Sequence, residues 1–178
     1  MNVSLSGSVN TIGENAFYSC DSLSKVTIGN SVTNIGSYAF SYCSSLTNIV
    51  IPNNVTKIGE DTFSYCSNLT NITIGNSVTS ISEDAFYNCS KLTKVNYTGT
   101  INNWAQIEFN GYYANPLYYA KNLYIKYSLI TSITISSATK INSYAFYNCT
   151  DIKSVEMSNT VESIGYYAFK GCDNLTSI

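Results

Sequence analysis

Val32–Ile51, VTNIGSYAFSYCSSLTNIVI, is the stretch from which the rest of the chain can be read. It spells Val-x-x-Ile-Gly-x-x-Ala-Phe-x-x-Cys-x-x-Leu-x-x-Ile-x-Ile, and the same frame restarts at Val9, Val55, Val78, Ala138 and Val161. Phe17, Phe40, Phe63 and Phe86 follow one another at intervals of 23 residues, and Phe146 and Phe169 repeat that interval. Cys20, Cys43, Cys66, Cys89, Cys149 and Cys172 keep the same spacing. A fixed period of this size means one supersecondary unit per repeat, stacked so that neighbours bury each other's apolar faces.

Each repeat carries two apolar patterns. Leu46-x-x-Ile49-x-Ile51 ends in the alternation of a half-buried strand, and stacked coils pair such strands into a parallel sheet. A turn follows, as at Gly29-Asn30-Ser31 or Gly75-Asn76-Ser77, built from residues that permit positive φ or bond their own backbone. Val-x-x-Ile is a second short segment facing the same core. The x-x-Ala-Phe stretch is expected to be one helical or 3₁₀ turn that puts Phe at the centre of the coil. Because Ser82 and Asn142 stand where other repeats have Gly, a left-handed backbone is not required there in every coil.

The periodicity breaks once. Phe86 and Phe146 are 60 residues apart, so an insert, taken here as residues 98–129, separates repeats over about 1–97 from repeats over 130–178. Within it, a short helix is expected near Trp104 with Thr100 or Asn102 as its cap. A second helix starts at Asn115-Pro116-Leu117, with Asn capping and Pro in the first turn. Leu123-Tyr124-Ile125 reads as a strand, with Leu129 to Ile135 continuing after a tight turn.

The repeat resembles the leucine-rich repeats of the BspA-like family. The segments that carry the likeness are IGENAFYSCDSL, IGSYAFSYCSSL, IGEDTFSYCSNL, ISEDAFYNCSKL, INSYAFYNCTDI and IGYYAFKGCDNL. The departures are Thr62 for Ala, Ile152 for Leu, and a turn one residue shorter at Ser136-Ser137. The insert resembles one found in bacterial members, with Trp-x-x-Ile-x-Phe, Asn-Pro-Leu and Leu-Tyr-Ile in that order; members tend to have Asn-Gly at its hairpin turn, where Lys126-Tyr127 stands here. The resemblance implies a leucine-rich-repeat solenoid, β-rich, with a parallel sheet on one face and short helical or 3₁₀ turns opposite. It also implies a cell-surface or secreted protein that binds other proteins.

Composition narrows the function. Charged residues make up 11% of the 178 residues and the net charge is −2, with nine Lys and no Arg. Without a basic stripe, nucleic-acid binding is not expected. No apolar run is long enough to span a bilayer. No signal peptide is read at Met1–Ser4, and both ends fall inside a repeat, so the chain reads as a piece of a longer protein whose cut ends invite end-to-end association. There is no His, which excludes Ser-His and Cys-His nucleophile pairs. Six Cys at one repeat position, with no C-x-x-C pair, are expected as a buried ladder of free thiols, and neither a metal nor another cofactor is expected. Glu60-Asp61 and Glu83-Asp84 stack on one edge and are expected in the first turn of the short helical segment, where negative charge is favoured.

The function expected is therefore a non-catalytic protein–protein or cell-surface binding module of an adhesin-type protein, its partner a protein or a host or cell-surface component. The alternative is a structural spacer with no ligand. The binding residues proposed from sequence are the insert aromatics Trp104, Tyr112, Tyr113, Tyr118, Tyr119 and Tyr124, because Trp and Tyr bury much area at small entropic cost. Thr73 and Asn96 represent the outward row of the strands, with Thr27, Val50, Thr134 and Glu156. A second reading stays open: Trp104, Ile107, Phe109 and Leu117 form the insert's own core against the solenoid.

Overall fold

In a computed structural model covering residues 1–178, the chain is a parallel β-solenoid of about seven turns. The strands Asn2–Leu5, Lys25–Ile28, Asn48–Val50, Asn71–Ile74, Lys94–Tyr97 and Leu123–Ile125 pair in chain order, and Ser128–Leu129 adds an antiparallel edge. Two-residue strands at Thr11–Ile12, Asn34–Ile35, Lys57–Ile58, Ser80–Ile81 and Glu108–Phe109 form a second parallel sheet. After the insert, Ser132–Ile135 pairs with Ser154–Met157, and Lys140–Ile141 with Ser163–Ile164. Register is one repeat per step: Val3 faces Val26, and Ile49 faces Ile72, which faces Val95. The period-2 alternation thus keeps every inward residue stacked on its counterpart, as in Lys25–Ile28, where Val26 and Ile28 are buried and Lys25 and Thr27 exposed.

The segment around Phe is not a helix. The i→i+3 bonds of a 3₁₀ turn are present, Ala16 N to Gly13 O and Cys20 N to Phe17 O, but Asn15 and Ser19 have φ of 57° and 55°. Left-handed residues at these two points reverse the winding, so each stretch is a run of tight turns. The N–H groups of these two residues and of Phe17 between them reach the next coil: Asn15 to Ser37 O, Phe17 to Ala39 O, Ser19 to Ser41 O. This accounts for the acidic pairs differently from a helix start. Asp61 and Asp84 occupy the left-handed position, φ 50° and 53°, which Asp tolerates better than most residues.

Gly36 and Gly59 need no positive φ. They are small because a Cβ would lie 2.7 Å from the backbone N of Glu14 and of Ser37 in the preceding coil, and a backbone cannot move aside.

The core is one cluster of 46 buried residues from Ile12 to Cys172, so the insert does not divide it. Phe40, Phe63, Phe86 and Phe146 are fully buried, while Phe17 and Phe169 in the outer coils are partly buried. Ring centroids stand 5.2–5.6 Å apart along Phe17, Phe40, Phe63 and Phe86. All six Cys are free, and Cys66 and Cys89 each donate Sγ–H to the carbonyl of the Phe 26 residues earlier, at 3.1 Å.

The insert supplies a coil of its own. Glu108–Phe109 pairs with Ser80–Ile81, and Leu123–Ile125 pairs with Lys94–Tyr97. The first helix spans Ile101–Ala105, and its cap is Thr100, which accepts from Asn103 N. The second spans Leu117–Ala120; Asn115 Oδ1 accepts from Leu117 N at 2.9 Å. Lys126 and Tyr127, φ 49° and 68°, make the hairpin turn with two successive positive φ values, the geometry usually given to Asn-Gly. Beyond it the backbone ladder is interrupted, and side chains bridge the gap. Asn102 Oδ1 accepts from the N–H groups of Ser136, Ser137 and Ala138, capping the shortened turn. Asn115 Nδ2 donates to the carbonyls of Tyr144 and Ala145.

Candidate functional site

Two surfaces carry the residues singled out from sequence. The first is the outward face of the long sheet. Asn48 and Asn71 form a side-chain ladder, Nδ2 of Asn71 donating to Oδ1 of Asn48 at 2.7 Å. A groove of about 490 Å³ runs between Lys25–Ile28 and Asn48–Val50, and Val50 beside it is 57% exposed. A smaller depression of about 290 Å³ is bordered by Asn71, Thr73, Lys94 and Tyr127. Thr73 is half-buried there, and Tyr124 is half-buried under the Lys94 ammonium, 4.4 Å from its ring centroid.

Asn96 departs from the expectation of an outward residue. It is 1% exposed, because the hairpin turn folds back over it and Tyr127 N donates to its Oδ1 at 2.7 Å. It orders the turn and offers nothing for a partner to touch.

The second surface is the insert. Trp104 is a correction as a contact residue: it is fully buried, with its indole N–H donating to Ala145 O at 2.7 Å and its ring against Tyr97 and Phe109. Ile107, Phe109 and Leu117 are buried with it. Tyr112, Tyr113, Tyr118 and Tyr119 come together outside this core. Tyr113 lies 4.4 Å from Tyr112 and 4.6 Å from Tyr118, and Tyr118 lies 4.8 Å from Tyr119, centroid to centroid. Tyr112 is the most open, at 44% exposed. Tyr119 is partly structural: its hydroxyl accepts from Asn88 N at 2.9 Å, where other coils use a backbone carbonyl.

These four rings are the middle of a longer row that sequence reading missed. On one side it continues from Tyr113 through Tyr87, Tyr65 and Tyr42 to Tyr18, with centroids 4.4–5.6 Å apart. On the other it passes from Tyr118 through Tyr147 and Tyr144 to Tyr167, at 5.8–6.0 Å. The signal was Tyr recurring one or two residues after Phe, at Tyr18, Tyr42, Tyr65, Tyr87 and Tyr147, and two before it at Tyr144 and Tyr167. Beside the row, the Tyr38 hydroxyl donates to Glu60 at 3.3 Å, and the negative charges of Asp61 and Glu60 push that phenol upward from its ordinary range.

Nothing in either surface assembles reactive groups. No three His, Cys, Asp or Glu side chains come together as a metal would need. Burial pushes the Cys43 thiol up to about 12 and Cys172 to about 11, away from a nucleophilic thiolate.

The model of the BspA type leucine-rich repeat region matches six copies over residues 1–114 and 120–178. The chain belongs to the BspA-type leucine-rich-repeat family. No curated protein matches it. Among solved structures, a leucine-rich-repeat protein of Bacteroides ovatus is 22% identical with a TM-score of 0.52, over 98% of this chain and 47% of the other. The pneumococcal vaccine antigen PcpA is 17% identical with a TM-score of 0.52, over 99% and 50%. A leucine-rich cell surface protein of Faecalibacterium prausnitzii is 28% identical with a TM-score of 0.48, over 96% and 51%. The first two show the solenoid fold, and the BspA-type chain spans about half the length of these structures. No helix in it is long and apolar enough to cross a membrane.

Proposed function

We propose that this chain is a non-catalytic protein-binding module of a cell-surface or secreted adhesin-type protein, and that it binds through the tyrosine cluster of the insert. The observation that carries this reading is the contact of Tyr112, Tyr113 and Tyr118 outside the buried core. Four adjacent aromatic rings at one place on the surface concentrate the residue type that dominates interface energetics. Membership of the BspA-type family, whose resemblance implies a cell-surface or secreted protein, supports the location. Thr73 and Tyr124 lie on the sheet face, the other surface on which a partner could bind.

The test is retention of matrix proteins and of whole cells by the immobilised chain. Tyr112→Ala combined with Tyr113→Ala should abolish retention while the melting temperature stays within about two degrees, since the change removes contacts outside the core. Full retention by that double variant moves the site to the sheet face. A chain that retains no cell and no matrix protein is a spacer.

A further inference from the structure

The row of rings has a chemistry of its own in its first half. The coil does not require Tyr there. The position two residues after Phe is left-handed in every repeat coil: Ser19, Tyr42, Tyr65, Asn88, Asn148 and Gly171 have φ from 55° to 78°. Ser, Asn and Gly solve that backbone problem at lower cost than a bulky side chain. Tyr42 and Tyr65 sit there nonetheless, stacked at 4.4 Å and 6°, with Tyr42 39% exposed and Tyr18 47% exposed. Rings kept where packing does not ask for them mark a contact surface.

Charge on the same side is of one sign. In the first four coils, the positions from three before Phe to two after it hold Glu14, Glu60, Asp61, Glu83 and Asp84, and no Lys. The Tyr38–Glu60 hydrogen bond places one of these carboxylates directly against a phenol of this side. At the far end the chain shows what the rings accept. Lys170, one residue after Phe169, holds its ammonium 4.5 Å from the Tyr167 centroid and 5.9 Å from that of Tyr147. Aromatic faces and edges attract cations, and flanking carboxylates steer them in.

We infer that the half of the row from Tyr18 to Tyr87, with the carboxylates beside it, docks an extended Lys- or Arg-rich segment of a protein partner. This rests on the proposed binding role and names its partner's chemistry. Four coils at the spacing of neighbouring strands make a track of about 15 Å, the length of four or five extended residues. A polyanion is repelled by the same carboxylates.

The experiment is calorimetric titration of the whole chain with acetylated hexalysine, hexaarginine, hexaserine and hexaglutamate. The two cationic peptides should bind, with affinity falling as salt rises, and the other two should not. Tyr42→Asn with Tyr65→Asn changes no charge and installs the residue that this chain carries at Asn88 and Asn148, so it folds; it should weaken the cationic peptides by about tenfold. Asp61→Asn with Asp84→Asn, also compatible with left-handed backbone, should weaken them and flatten the salt dependence. Unchanged binding in the tyrosine variant overturns the inference, since the peptides then sense only overall acidity. Absence of cationic-peptide binding overturns it too. Neither result touches the proposed binding role, which stands or falls on retention of cells and matrix proteins.

Discussion

The indole N–H of Trp104 donates to the carbonyl oxygen of Ala145, 2.7 Å away in space and 41 residues on in the chain. In the regular coils that carbonyl position receives a backbone N–H, as Ala39 does from Phe17. Trp104 therefore joins the four leading repeats to the two trailing ones. Trp104→Ala should cost about 3–5 kcal/mol through the lost ring, and Trp104→Phe about 1 kcal/mol through the lost donor. Urea denaturation reads both, and a Trp104→Ala midpoint equal to the parent's would refute the assignment.

The phenylalanine stack should weaken toward its ends. Phe63 is fully buried between Phe40 and Phe86, whereas Phe169 has one Phe neighbour and is partly buried. Phe63→Ala should cost about 3–5 kcal/mol, and Phe169→Ala less than half as much. Equal losses would contradict a stack of nearest-neighbour contacts.

Five of the six thiols should be silent in the folded protein. Iodoacetamide at neutral pH should label Cys20, the one partly open thiol, well before Cys66 or Cys89, and all six once the chain is unfolded. Burial raises the folded thiol above its ordinary value of 9.0, to about 12 at Cys43. The associated stability is thus complete below pH 9.0 and is lost as pH rises toward 12. Melting curves that stay flat through that window would count against the buried ladder.

Asp84 should be a liability at neutral pH. Partial burial, followed by the charges of Asp61, Glu83 and Glu60, raises its carboxyl above the ordinary 3.8. A raised carboxyl favours the fold only while protonated, so its contribution is full below pH 3.8 and is lost as pH rises through the folded value. Asp84→Asn keeps a residue suited to φ 53° and should melt higher than the parent at pH 7, with the difference closing near pH 3. A variant that melts lower at pH 7 would show that the carboxylate is bonded favourably.

Much of the fold was readable from period alone, because a 23-residue repeat sets register as well as coil number: Val26 faces Val3 and Ile72 faces Ile49. Local chemistry also carried the Thr100 cap and the helix start after Asn115. Two things were not local. The burial of Asn96 depends on a turn 31 residues later folding over it. The tyrosine row is scattered in sequence, one residue after Phe at Tyr18, Tyr87 and Tyr147 and two after it at Tyr42 and Tyr65; only coil stacking makes these rings neighbours. The turns around Phe read from sequence as a helical or 3₁₀ turn because i→i+3 bonds suit both that and a run of tight turns, and the left-handed residues that decide between them include Tyr, which sequence does not flag.

The interrupted ladder beyond the hairpin has a mechanical consequence. Between repeats, the bonds that resist extension lie along the solenoid's axis in rows of backbone pairs. At the seam those rows give way to the side chains of Asn102, Trp104 and Asn115, with Asn142 N on Ala105 O and Asn142 Nδ2 on Gln106 O among the added links. Pulled from its two ends, the molecule should part there first, shedding the trailing pair of coils as one piece while the leading block holds. A surface protein with such a seam would lengthen under load in steps, keeping the tyrosine-lined leading coils folded after the first has given way.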